Sequence, residues 1–232
     1  MSSLSQHAVV TGSSAGIGRA IALSLLASGW RVTGLDVAAP CIEQAGFTHV
    51  ALDLSRGDDI ARAAASLRGV DALVHAAGVL RVGPLGQLEP AGGELMWRLH
   101  VDAATRLADV FLPAMAAKGA GRMVLIGSRV AQGMPGRSQY AATKAALVAL
   151  ARSWAAEVAA QGVTVNVISP AATQTGMLND PSRVGSAPRL PPIGRLIQAE
   201  EIAALVGYLL SPAAAAITGQ DIAICGGASL PR

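Results

Sequence analysis

Aromatic residues are scarce: two phenylalanines, two tyrosines and three tryptophans make up 3% of 232 residues. A core with so few rings must be filled by Ala, Val, Leu and Gly, a composition that suits helices packed closely on a parallel sheet. There are only two cysteines, Cys41 and Cys225, with no CxxC spacing and no nearby histidine; free thiols are expected and no metal site is assigned. No apolar run approaches the roughly 18 residues of a membrane span, and the opening MSSLSQHAVV lacks the charged and apolar regions of a signal peptide. A cytoplasmic protein with no membrane partner is expected. Lysine is nearly missing as well, two residues against sixteen arginines. The formal charge of +3 raises the question of nucleic acid, but the arginines are scattered rather than gathered on one face, so no such partner is expected. No composition shift, linker or repeat divides the chain, which reads as one domain over 1–232.

What is present alternates. Short β-branched runs stand at 7–12, 31–37, 49–54, 71–78, 122–128, 163–169 and 221–225, with helical patterns near 16–28, 57–68, 92–117, 138–160 and 199–210. Gly29, Gly69 and Gly162 are placed as helix stops. The alternation predicts an α/β, doubly wound Rossmann fold: a seven-stranded parallel sheet with helices on both faces. The span 38–48 is too short for a full crossover helix. Residues 176–198, rich in Pro, Gly and Ser, interrupt the alternation and are expected to form a substrate-loop insertion.

The stretch TGSSAGIG, 11–18, follows the first strand and opens the first helix. Gly12, Gly16 and Gly18, with Ser14 and Ile17 between them, sit where the backbone must turn tightly, and amides at a helix N-terminus suit a pyrophosphate. The spacing GxxxGxG differs from the GxGxxG fingerprint. Asp36, twenty residues after Gly16 at the end of the second strand, adds weight, because its carboxylate can accept from both ribose hydroxyls and would repel a 2′-phosphate. With no Arg or Lys at 13–15 or 37–39, NAD is the expected cofactor.

In QYAATKAAL, 139–147, Tyr140 and Lys144 are four apart on a helix and so share one face. A fixed ammonium favours the phenolate and brings tyrosine toward useful acid-base chemistry. A compact ammonium can also donate to a ribose hydroxyl, a reason for Lys in a chain that otherwise uses Arg. Ser128, twelve residues before Tyr140 at the end of the fifth strand, falls where open α/β sheets bind ligands.

In their order and spacing, TGSSAGIG, Asp36, Asp53, HAAG at 75–78, Ser128, YAATK and SPAATQT at 169–175 resemble the single-domain short-chain dehydrogenase/reductases over essentially the whole chain. Within that family, VTGLD (32–36) and ALVHAAGVLRVG (72–83) look most like 2,3-dihydro-2,3-dihydroxybenzoate dehydrogenases. The resemblance implies Tyr140 as catalytic acid-base, Lys144 on the nicotinamide ribose and Ser128 on the substrate oxygen. It places the three glycines on the pyrophosphate, Asp36 on the adenine ribose, and Asp53 and Leu54 on the adenine. Ala76, Ala77 and Gly78 would line the cofactor, and Thr175 would bond its carboxamide. It also implies a homodimer or homotetramer through helices near 92–117 and 138–160.

Three residues depart from that pattern. His100 stands where the family has a catalytic Asn, and either a proton-carrying or a packing role fits it. His75 replaces the first Asn of the usual NAAG run, and Ala171 replaces a Gly after Pro170. For substrate, Arg81 and Arg129 suit a carboxylate, with Met134 and Met177 as an apolar wall. The expected activity is hydride transfer between NAD and a small-molecule secondary alcohol or its ketone, with cyclic, dihydrodiol or carboxylated compounds as candidates. A non-catalytic NAD-binding regulator on the same fold is the other reading.

Overall fold

The computed structural model describes residues 5–179 and 189–230. One parallel sheet contains β1 (His7–Thr11), β2 (Arg31–Asp36), β3 (Phe47–Ala51), β4 (Ala72–His75), β5 (Gly121–Ile126), β6 (Val163–Pro170) and β7 (Asp221–Ile224). Their order is β3-β2-β1-β4-β5-β6-β7. Every residue of β1, β4 and β6 is buried. Strands covered on both faces have no solvent side to mark with polar residues, so they read as continuous apolar runs. Helices α1 (Gly16–Ala27) and α6 (Ala199–Leu210) cover one face, over Val10, Val74, Val124 and Ile168. The opposite face, over Leu35, Leu73, Met123 and Val165, is covered by α2 (Gly57–Ser66), α4 (Ala103–Lys118) and α5 (Ser138–Val158). No helix among the described residues is long and apolar enough to cross a membrane.

Strands β3 and β4 each end three residues before their sequence pattern suggests, each for a local reason. After β3 the Asp53 carboxylate accepts from the amide and hydroxyl of Ser55 and turns the chain away. After β4 the amides of Ala76 and Ala77 both donate to the Thr11 hydroxyl oxygen instead of to the ladder. The single helix expected over 92–117 is two helices, α3 (Pro90–Trp97) and α4, joined by a π-helical turn, Arg98–Asp102. Such turns are rare and frequent at functional sites. Of the expected insertion, Gly176–Asn179 forms a 3₁₀ turn and Ile197 bridges to Thr173, while 180–188 lies outside the described residues. Strand order reverses between β1 and β4, and the carboxyl ends of the strands on either side open into the cleft expected at such a switch point.

Candidate active site

The glycine-rich turn is a place where backbone meets backbone. Gly12 has φ +69°, and a β-carbon on it would stand 2.9 Å from the backbone N and Cα of Ala77; one on Gly18 would stand 2.1 Å from the Gly12 carbonyl oxygen. Thr175 closes over Gly16, its methyl 3.3 Å from where a β-carbon would be. No side chain caps α1 at Ala15, so its first-turn amides remain for an anion. A cradle closed to β-carbons at an uncapped helix N-terminus fits the pyrophosphate of a nicotinamide dinucleotide.

Asp36 ends β2 with its carboxylate held by two amides, Ser14 N–H and Ala38 N–H, each at 2.9 Å. Ser14 itself lies off the cleft wall, its hydroxyl on the Ala38 carbonyl at 3.3 Å. The bonds from Ser55 to Asp53, hydroxyl first, hold that carboxyl below its ordinary pKa. Leu54 is buried beside it.

Ser128 leaves β5 in extended conformation, and its oxygen accepts from the Val130 amide at 3.2 Å, starting a 3₁₀ turn. This bond uses a lone pair and leaves the hydroxyl proton for another acceptor. Tyr140 and Lys144 lie one turn apart near the start of α5. The Lys144 ammonium donates to the Ile126 carbonyl at 2.9 Å and stands 5.7 Å from the centre of the Tyr140 ring. Lys144 is buried, and burial pulls its pKa from 10.5 to about 7. His100 is fully buried, edge-on to Tyr140 with ring centres 5.6 Å apart, and both its ring nitrogens are bonded within the protein, to Val79 and Thr143. Ala171 carries no strain, since among the described residues every positive φ belongs to a glycine.

One cavity of about 1080 Å³ joins these groups. Gly12, Gly16, Ile17, Gly18, Asp36, Asp53, Leu54, Ala76, Ala77, Gly78, His100, Ser128, Tyr140, Lys144 and Thr175 all line it. Arg129, Met134 and Met177 line it too, whereas Arg81 does not: its guanidinium donates to the Leu80 carbonyl and its amide meets the Met96 sulfur. Sequence reasoning missed Arg137 and Arg189, both on the wall. Arg137 was within reach of it, being one helical turn before Tyr140; Arg189 sits in a stretch with no periodicity to read. Among the described residues the carboxylates lining the cavity are Asp36 and Asp53, on the β2–β3 side.

A family model described as enoyl-(acyl carrier protein) reductase matches residues 12–229. A solved structure titled short chain dehydrogenase/reductase family protein superposes with a TM-score of 0.89 at 36% identity, covering 96% of both chains. The chain belongs to the short-chain dehydrogenase/reductases. Among curated members, the 3-oxoacyl-(acyl-carrier-protein) reductase FabG of Salmonella typhimurium is 36% identical, over 95% of this chain and 96% of its own length. The 2,3-dihydro-2,3-dihydroxybenzoate dehydrogenase of Escherichia coli is 34% identical over the same shares. These short-chain dehydrogenase/reductase relatives are oxidoreductases by name, which does not favour a non-catalytic regulator.

Proposed function

We propose that this protein is an NAD-dependent oxidoreductase that interconverts a secondary alcohol and its ketone. The observation that carries the reading is the convergence of Ser128, Tyr140 and Lys144 on the same cavity as the glycine cradle and Asp36. When bound, the nicotinamide supplies or accepts the hydride. In the oxidative direction the Tyr140 oxygen, as phenolate, takes the hydroxyl proton, while the Ser128 hydroxyl donates to the oxygen that becomes the carbonyl. The Lys144 ammonium stabilises the phenolate across the helix turn, and the phenolate in turn favours the charged form of a lysine that burial weakens. Asp36, already oriented by two amides, accepts from the adenine ribose and disfavours a 2′-phosphate.

The substrate end favours a ring or short chain carrying a carboxylate. Leu80, Leu95, Leu99 and Met134 supply apolar wall, and Arg129 and Arg137 supply positive charge on it. The insertion near 176–198, whose described residues Gly176, Met177, Leu178 and Arg189 line the cavity, is the substrate loop of this reading, and a homodimer or homotetramer formed through α4 and α5 completes it. The test is a screen of NAD and NADP reduction against cyclic secondary alcohols and dihydrodiols, each with and without a carboxylate. Turnover with NAD, fastest on carboxylated members, is expected; no turnover on any member rules the reading out, and equal use of both cofactors rules out the role given to Asp36.

A further inference from the structure

Two buried histidines flank the cofactor wall, and the hydrogen bonds around them leave one proton arrangement for each. The Thr11 oxygen accepts from the amides of Ala76 and Ala77, both at 3.0 Å, so its single proton goes to its remaining neighbour, His75 Nδ1, at 3.0 Å. His75 Nδ1 is therefore bare. Its Nε2 carries the proton and donates to the Leu99 carbonyl at 3.1 Å. For His100 the logic runs the other way. An amide can only donate, and Val79 N–H points at His100 Nε2 at 3.1 Å, so that nitrogen is bare. The proton sits on Nδ1 and is given to the Thr143 oxygen at 2.8 Å; the Thr143 hydroxyl passes its own proton to the Tyr140 carbonyl at 2.9 Å.

These bonds connect elements rather than neighbours in the chain. His75, at the end of β4, grips the π-helical turn; His100, in the π-helical turn, grips the segment after β4 and, through Thr143, the first turn of α5. Gly78 packs against His100: a β-carbon there would stand 2.7 Å from His100 Nε2 and 3.7 Å from Lys144 Nζ, so the wall is thin only because that residue is glycine. We propose that His75 and His100 are positioning residues, a pair of neutral imidazoles of opposite tautomer that lock the cofactor wall at 76–79 and the Tyr140 turn of α5 onto the π-helical turn. His100 then acts through Val79 and Tyr140, and has no nitrogen left with which to carry protons. Among the described residues the charged and titratable groups facing the pair are Lys144 and Tyr140 from α5 and each histidine toward the other; Asp102, two residues on, pairs with Arg106 instead. With a lysine and, among the described residues, no carboxylate facing them, both rings are held neutral, their pKa values lowered first by burial.

The role in catalysis rests on the function proposed above, but the tautomers do not, and the test separates the two. Long-range proton–nitrogen NMR on ¹⁵N-histidine protein without cofactor, assigned through the backbone of the unmodified chain, should show His75 protonated on Nε2 and His100 on Nδ1, with both still neutral at about pH 5. The opposite tautomer at His100, or titration of either ring near its ordinary pKa, overturns the proposal. Substitutions then separate the two arms. The amide of His100→Asn reaches Thr143 but not Val79, so KM for NAD should rise about tenfold, the scale of one buried hydrogen bond, with kcat changed less. His100→Gln sets an acceptor near the old Nε2 position and should recover the KM for NAD while lowering kcat. Identical KM and kcat effects from the two variants overturn the positioning role. Failure of the unmodified protein to bind NAD overturns the proposed function and leaves the tautomer result standing.

Discussion

Replacing His75 by Asn removes a buried imidazole whose pKa, ordinarily 6.5, is pulled down to about 3, first by burial and then by the Lys144 ammonium. The unfolded chain takes up a proton on this ring below its ordinary pKa, while the folded chain does not until much lower pH. Stability from the neutral ring is therefore complete above the unfolded pKa and is lost as pH falls from there toward the folded value. Between about pH 7.5 and about pH 5 the loss spans about 1.5 pKa units, or about 2 kcal/mol, a sizeable part of the roughly 5–15 kcal/mol typical of a domain. His7, His100 and Lys144 are also shifted down, and so weaken the fold in the same direction as pH falls. All three remain in the variant, so the difference between the two proteins reports His75 together with its coupling to Lys144 and His100. Urea unfolding, followed by tryptophan fluorescence at both pH values, measures it. The variant should be less stable at the higher pH, with a pH dependence shallower by about 2 kcal/mol. Equal losses in the two proteins would refute the assignment of a neutral, bonded His75.

Gly12→Ala should weaken NAD binding by at least about tenfold, because the new β-carbon meets the Ala77 backbone, which cannot swing aside, and the position has positive φ; calorimetric titration showing unchanged affinity would remove Gly12 from the cradle. Asp36→Ala should lose affinity for NAD and narrow the gap between NAD and NADP, read from kcat/KM with each; a gap that stays the same argues against a carboxylate set by Ser14 and Ala38 to receive the ribose. Tyr140→Phe should bind NAD nearly as well as the unmodified protein while turning over at least about a hundredfold more slowly, the lower end of what a positioned acid-base group supplies. Near-full turnover in that variant would mean that another group takes the proton.

Much of the architecture is legible in the chain itself, because a parallel sheet buried on both faces must be written in runs such as HAVVT and VTVNVISP, and its helices in the spaces between. The glycines of the first turn are legible for the same kind of reason: their spacing follows strand, turn and helix with no help from the rest of the fold. The sequence pattern sets edge strand β3 two residues late, since FTHVA is half exposed and its pattern merges with the buried Leu52 and Leu54 beyond it. The π-helical turn was not legible, because the helical periodicity of 92–117 continues across it; what interrupts the helix is seen only once His75 from β4 reaches the Leu99 carbonyl. Nor does any spacing tell Arg81 from Arg129. One turns back to its own neighbour's carbonyl and the other lines the cavity, a choice made by how α3 and α5 approach the end of β4. The sequence by itself determined the sheet, the cradle and the residue types of the cleft, since each depends on local pattern and burial. Tertiary structure alone decided the protons on His75 and His100, because a tautomer is set by donors and acceptors brought from Thr11, Val79, Leu99 and Thr143, residues far apart in the chain and adjacent only in the fold.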